Sequence, residues 1–424
     1  MTGPLIVFAR KVFMSLIRPF RAYRPQKELA VRVASVPYDV VNAAEARQLA
    51  SGNPCSFLHV CRPEIDLPEG TDEHADEVYA TGAANLRRLI AEGILIREES
   101  ESLYVYQQRM LEHVQAGVVA LCPVREYEQN LIKKHELTRR DKEDDRARHV
   151  REQNANAEPV FLTYRAEAAI DAMVDEVRRG EPLYDMVTPD GVGHTIWRIT
   201  EAEKITRLTA LFARLEALYI ADGHHRTASA VRYGQAMRAR NPFPKGDEPY
   251  EFFLAVLFPH TQLRILDYNR VVRDLNGLTA EEFLKKLEEN FEVRRSNARQ
   301  PKQAASFGMY LEGKWYELSA RAGSYPASDP IRSLDVSILQ ENLLAPLLGI
   351  ADPRAERRID FVGGIRGMDE LERRVHEGWA VAFALYPTSL AQLMSVADAG
   401  QIMPPKSTWF EPKLRSGLLV RLYE

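Results

Sequence analysis

The chain has 424 residues, 45% hydrophobic and 27% charged, with a formal net charge of −4. This composition excludes a disordered chain, the length makes two domains the default, and the acidic balance counts against a nucleic-acid-coating protein. Three cysteines (Cys55, Cys61, Cys122) form no close pair, which points to a reducing compartment rather than a disulfide framework.

The run Pro4–Ile17 is interrupted by Arg10 and Lys11, is too short to cross a bilayer and lacks a small-residue cleavage pattern. Residues 1–17 therefore read as a short leader or over-extended start, and cytoplasm is the expected location. Asn42 and Glu45 have capping-box spacing for a helix over 43–51, and SFLHVCRP reads as a strand after Asn53-Pro54. An amphipathic helix is expected within 72–96, with Val78, Tyr79, Leu86, Leu89 and Ile90 on one face. LYVYQQRM (103–110) and GVVALCPVREY (117–127) suggest adjacent strands. The charged stretch 133–152 mixes both signs and predicts a solvated helix or loop. QNANAEPVFLTY (153–164) then enters a strand, followed by a helix over 166–179, the strand HTIWRIT and a helix over 201–216.

Leu218–Ala230, LYIADGHHRTASA, is the stretch around which the chemistry is expected. An apolar strand stops at Asp222-Gly223, and a helix opens at His224-His225-Arg226. A helix N-terminus attracts anions, and Arg226 can fork two N–H groups onto a phosphate. The bland alternative is a helix cap with Arg226 paired to Asp222. Further on, EFFLAVLF and LRILDYNRVV read as strands, a boundary falls near 275–280, and Thr279 caps the next helix. The remainder reads as strands (FEVRR, SFGMYLEGKWYELS, WAVAFALY, LLVRLY) with a helix over 334–347.

Several familiar motifs fail on context. Gly308–Lys314 has phosphate-loop spacing, but Trp315 stands where Ser or Thr is needed and the segment reads as a hairpin. Gly191 and Gly193 lack the rest of a dinucleotide fingerprint. No zinc-ligand spacing and no nucleophile elbow occurs, and no metal ligand is assigned.

IADGHHR, with PFRAYRP, PYDVV, KKHELTRRDKEDDR, QNANAEPVF and PPKSTWFEPKLRSG in the same order, resembles the DUF1015 family from about Arg18 onward. The resemblance implies a mixed α/β (α+β) fold with a ParB/sulfiredoxin-like core over 18–275 and a smaller α+β domain over 276–424. It implies phosphate handling at Gly223, His224, His225 and Arg226; Asp222 and Thr227 beside them, and the cationic Lys133, Lys134, His135 and Arg139 of the charged stretch, are further candidates for binding phosphate or nucleotide. It further implies similarity to a free-serine kinase, hence serine metabolism.

Phosphoryl transfer needs positive groups on the transferring oxygens and a carboxylate to take a hydroxyl proton. Glu136 is the expected base, His225 a second catalytic group and Thr138 a neighbour. Arg21, Asp39, Asn154, Asn156, Lys406 and Ser407 are expected to bind substrate, with Lys413 and Arg415 in a tail that folds back as a lid. Each has a bland reading as turn, cap or surface residue. The expected function is phosphoryl transfer to or from serine or phosphoserine with ADP or ATP and Mg²⁺. The alternatives are a nucleotide-binding switch or DNA-associated adaptor of the ParB type, and a non-catalytic regulator. The expected partners are thus a small phosphorylated molecule and a nucleotide, without membrane or nucleic acid.

Overall fold

The apolar runs between 103 and 259 form one mixed eight-stranded sheet in the computed structural model, which describes residues 17–424. Two units divide the chain. The first contains the residues up to Lys133, Thr138–Gln262 and Lys413–Glu424; the second contains Lys134–Leu137 and Leu263–Pro412. Residues 1–16, which hold most of the expected leader, lie outside the described residues. Ile17 is buried in the first unit's core.

In the first unit the strand order is Ile132–Lys133, Leu218–Asp222, Val160–Tyr164, Phe252–Pro259, His113–Pro123, Leu103–Met110, Gly193–Ile199 and Tyr184–Val187. The central strands read as continuous apolar runs because both their faces are covered. Val118, Leu162, Ile220 and Leu257 are fully buried with Ile170 and Leu208 from the helices Ala168–Arg178 and Ala202–Phe212. Leu218–Asp222 runs antiparallel to Val160–Tyr164, and the register slips between Ile220 and Asp222. Such a bulge re-aims the side chains beside it, here at the turn entering the helix His224–Arg240.

The second unit is built on a six-stranded antiparallel sheet ordered Phe291–Arg295, Lys314–Ala320, Ser306–Leu311, Val381–Leu385, Tyr268–Val272, Ile359–Gly363. The rejected phosphate-loop segment is indeed a hairpin, turning at Glu312-Gly313. Among the described residues no helix is long and apolar enough to cross a membrane.

The expected capping box of Asn42 with Glu45 forms, and Thr279, expected as an N-cap, forms a full box with Glu282. Three expectations need correction. SFLHVCRP contains a helical turn, Leu58–Cys61, instead of a strand; Ser56 Oγ accepts from the Leu58 N–H, and a short apolar run carries no period to separate the two states. The strand of GVVALCPVREY stops at Pro123, and Val124–Glu128 turns helical.

The charged stretch forms the helix Arg140–Gln153, and its face of Asp145, His149 and Gln153 is buried, not solvated. Tyr79 from the helix Asp76–Ala91 donates to Asp145 at 2.8 Å and packs its ring, tilted, against His149 with centroids 4.7 Å apart, so polar side chains at helical spacing serve as packing. The boundary expected at 275/276 falls within the second unit, and residues 413–424 return to the first.

Candidate functional site

Gly223 has φ +89°, a left-handed conformation that glycine adopts without strain. It joins the bulged strand to the helix His224–Arg240, whose first turn carries His224, His225 and Arg226. The turn is closed from both sides. Asp222 Oδ1 accepts from the Gly223 N–H at 2.8 Å, and the Gly223 carbonyl accepts from Thr227 N at 2.9 Å and Thr227 Oγ1 at 3.0 Å. A Cβ on Gly223 would stand 2.9 Å from Arg226 Nε, so the guanidinium lies directly over the glycine. Absence of a side chain therefore makes room for the arginine as well as for the backbone.

The Arg226 side chain is 7% exposed. Its Nη1 donates to the Pro159 carbonyl at 2.6 Å, and its Nη2 lies 3.8 Å from Asp222 Oδ2. Burial disfavours its charge, but Asp39, Asp222 and Glu158 more than reverse that and hold its proton more firmly than usual. Asp222 shows the reciprocal balance: burial pushes its carboxyl up, while Lys413, 3.0 Å from Oδ2, and Arg226 hold it well below the ordinary range. Arg226 Nε is buried without a hydrogen-bond partner.

Glu158 faces the same arginine. Its Oε1 accepts from Tyr38 N at 3.2 Å and Ser416 Oγ at 2.9 Å. Burial raises its carboxyl, against the pull of Arg226 and Arg146. Arg146 stacks 4.1 Å over the Tyr38 ring and pairs with Asp145 at 2.8 Å. A cavity of about 40 Å³ is lined by Arg226, Arg146, Glu158, His149, Asn156 and Ser229. That is room for a few waters or a small polar group, and too little for a whole nucleotide.

Asp39 sits in the 3₁₀ turn Tyr38–Val40 and is exposed, close enough to Arg226 and His225 to act on both charges. Burial pushes the His225 imidazole below its ordinary range, and Asp39 and Glu143 oppose it. The first unit thus presents a glycine turn and a fixed guanidinium, with a half-buried carboxylate (Glu158) and an exposed one (Asp39) acting on its charge. Such a set can position an anion and exchange a proton.

The other expected residues have these places. Lys133 pairs in register with Tyr219 on the strand leading to the turn, its Nζ 5.9 Å from that ring. Lys134, His135 and Glu136 belong to the second unit, where the buried His135 gives its carbonyl to Met403 N at 2.8 Å. Thr138 donates to Glu143, and the exposed Arg139 pairs with Asp141 at 2.6 Å. Arg21 is exposed.

Asn154, at φ 49°, caps the helix Arg140–Gln153; it accepts from Tyr233 at 3.2 Å and donates to the Tyr423 carbonyl at 3.2 Å. Asn156 accepts from Arg421 at 3.3 Å. Ser407 donates to the Pro404 carbonyl at 2.6 Å, and Lys406 lies 5.7 Å from the Tyr268 ring, both within the second unit. Arg415 is buried against Thr188, Asp190 and His194.

Sequence reasoning passed over Arg146 and Glu158. Arg146 looked like one charge among many on a solvated face. Glu158 had a visible signal: an acid followed by proline at the head of a wholly apolar strand has few ways to remain exposed.

A search of the curated proteins found no match. Among solved structures the chain is similar to a free serine kinase point mutant in complex with AMP, at 13% identity and TM-score 0.36, covering 71% of this chain and 92% of that one. It is similar to a conserved hypothetical protein from Pyrococcus furiosus, at 12% identity and TM-score 0.35, covering 72% and 95%. It is also similar to C-terminally truncated SbnI from Staphylococcus aureus, at 12% identity and TM-score 0.37, covering 72% and 87%. Likenesses at this level carry no argument about the reaction. The family model described as "Protein of unknown function (DUF1015)" matches residues 17–337, and the chain belongs to that family.

Proposed function

We propose that the chain is a nucleotide-dependent phosphotransferase acting on a small hydroxy amino acid of the serine class, with the Asp222–Thr227 turn holding phosphate. The observation that carries this reading is the buried Arg226 guanidinium fixed over Gly223 at a helix start. A ParB/sulfiredoxin-like core for the first unit goes with the same reading. In the forward direction a serine hydroxyl oxygen bonds to the terminal phosphorus of ADP or ATP. The bond from that phosphorus to the bridging oxygen breaks, and the hydroxyl proton passes to a carboxylate. Arg226 and the helix start offset charge on the phosphoryl oxygens, and no covalent protein intermediate is needed. Asp39, exposed beside Arg226 and His225, suits the substrate ammonium or the hydroxyl proton.

Among the described residues no group of three or more His, Cys, Asp or Glu side chains could hold a metal. Mg²⁺ in this reading enters on the nucleotide, whose phosphates supply ligands, and needs only one or two carboxylates such as Asp39. When bound it would neutralise phosphoryl charge.

The test is turnover of serine with ADP or ATP, and of phosphoserine with AMP or ADP, followed by ³¹P NMR. Arg226→Lys and Asp39→Asn should each lower turnover by at least tenfold, and Glu136→Gln tests the base expected from the sequence. Unchanged turnover in Arg226→Lys contradicts the phosphate role. A nucleotide-binding switch uses the same turn without chemistry. It is favoured by the resident carboxylates that already balance Arg226, and nucleotide binding without turnover of either substrate selects it.

A further inference from the structure

Another buried arginine, far from Arg226 in sequence, has no acid paired with it among the described residues. Arg270 lies on the strand Tyr268–Val272 of the second unit and is 4% exposed. Its Nη1 donates to the Tyr268 carbonyl and its Nη2 to the Lys406 carbonyl at 3.0 Å, while the rings of Tyr268 and Phe361 lie 6.0 and 5.1 Å from the guanidinium. Among the described residues no carboxylate pairs with it or acts on its charge, and burial draws its affinity for the proton down to about 10. Carbonyl dipoles and ring faces soften the burial of a full charge, but they do not cancel it.

Arg270 lines a cavity of about 150 Å³. The remaining wall is chiefly apolar, with Val336, Leu344, Pro404 and Pro405. Gln340 and Leu344 come from one turn of π-helix, Gln340–Leu344, which continues the helix Asp335–Leu339. π-Helical turns sacrifice regular hydrogen bonding and recur at functional sites. The lining also includes Gln340 and the exposed Asp352 and Arg354, where Asp352 Oδ1 accepts from the Arg354 backbone N–H at 3.0 Å. Among these lining residues Arg270 is the buried cation, set against Val336, Leu344, Pro404 and Pro405, which fits a ligand with one anionic end.

We propose that this cavity binds a small organic oxyanion, its carboxylate or phosphate end on Arg270 and an apolar body against Val336, Leu344, Pro404 and Pro405. This site lies wholly within the second unit and does not depend on the phosphotransferase reading.

The experiment is isothermal titration of the full chain with acetate, butyrate, butyl phosphate and inorganic phosphate. Butyrate has two methylenes more than acetate, and burying them should tighten binding by about tenfold. Whichever of butyrate and butyl phosphate binds better identifies the anionic end. Leu344→Phe fills the cavity and leaves Arg270 and its carbonyl contacts in place; Arg270→Met removes the cation. Arg270→Met should weaken the better probe by at least tenfold, the expected loss for a charge-assisted pair, and Leu344→Phe by as much through exclusion of the apolar body, while ADP binding at the first unit stays as in wild type. Failure of every probe to saturate overturns the proposal, as does equal affinity for acetate and butyrate, or wild-type affinity in Leu344→Phe. If Arg270→Met does not fold, Leu344→Phe decides alone. Loss of ADP binding in wild type would count against the nucleotide reading and leave this one standing.

Discussion

Arg226 and Arg270 are both buried guanidiniums, and they sit in opposite electrostatic surroundings. Around Arg226, Asp222 at 3.8 Å together with Asp39 and Glu158 outweigh burial. Around Arg270 the groups in contact among the described residues are a pair of carbonyls and two aromatic rings, and burial prevails. The contrast teaches what each arginine is fitted for. The first is a fixed part of its unit whether or not a ligand is present, so an incoming phosphate shares it with resident acids. The second contributes little to the fold's own electrostatics and gains most when an anion arrives.

The sharpest break of this comparison is truncation. Arg226→Met takes the buried cation from Glu158 and one of two cations from Asp222 and should cost about 3–5 kcal/mol in urea denaturation, whereas Arg270→Met, losing carbonyl contacts but relieving an unpaired charge, should stay within about 1 kcal/mol of wild type. Equal costs would erase the distinction.

Glycine substitution sharpens the first side. Gly223 and Gly277 have φ of +89° and +80°, but only at Gly223 would a Cβ meet a neighbour, Arg226 Nε at 2.9 Å. Gly277→Ala should cost about 1 kcal/mol of backbone strain, and Gly223→Ala about 2–3 kcal/mol with loss of nucleotide affinity.

Lys413→Met removes the ammonium 3.0 Å from Asp222 and should cost about 1–2 kcal/mol. The Asp222 carboxyl should also rise toward its ordinary range, visible by NMR titration. Because its folded value is depressed, its stabilising contribution is present above the ordinary value and is lost on acidification. The variant should therefore lose less stability than wild type as pH falls.

The smallest effect is a divergence in pH response. Burial, aided by Arg415, pushes His194 down from 6.5 to about 3, so its contribution is complete above 6.5 and fades as pH falls toward 3. Burial raises Asp335 in the second unit from 3.8 to about 7, so its contribution is complete below 3.8 and fades as pH rises toward 7. Between pH 6 and 7 each changes by about 1 kcal/mol or less, in opposite directions. Hydrogen exchange in the two units should show the first loosening at lower pH and the second at higher pH; His194→Gln and Asp335→Asn should flatten the respective trends.

What was legible in the sequence was local. The capping boxes at Asn42 and Thr279 follow from i to i+3 spacing, and the strand–Gly223–helix turn follows from an apolar run meeting a glycine. A third box, Ser389 with Gln392, carried the same signal and was passed over. The surroundings of Arg226 were less accessible because they come from distant segments: Asp39, Glu158, Lys413 and Ser416 meet only through the fold. Composition also misled at the helix Arg140–Gln153, where Asp145 and His149 are buried by Tyr79, a partner from an earlier helix. Polar residues on a helix show their period but not which of them has found a buried partner.

The most direct measurement is ADP affinity of the full chain, wild type against Arg226→Lys, by isothermal titration. Lysine keeps the charge and loses the fork that spans two phosphate oxygens, so the variant should bind at least tenfold more weakly while remaining folded. Equal affinity in the folded variant would contradict a phosphate site at the Gly223 turn.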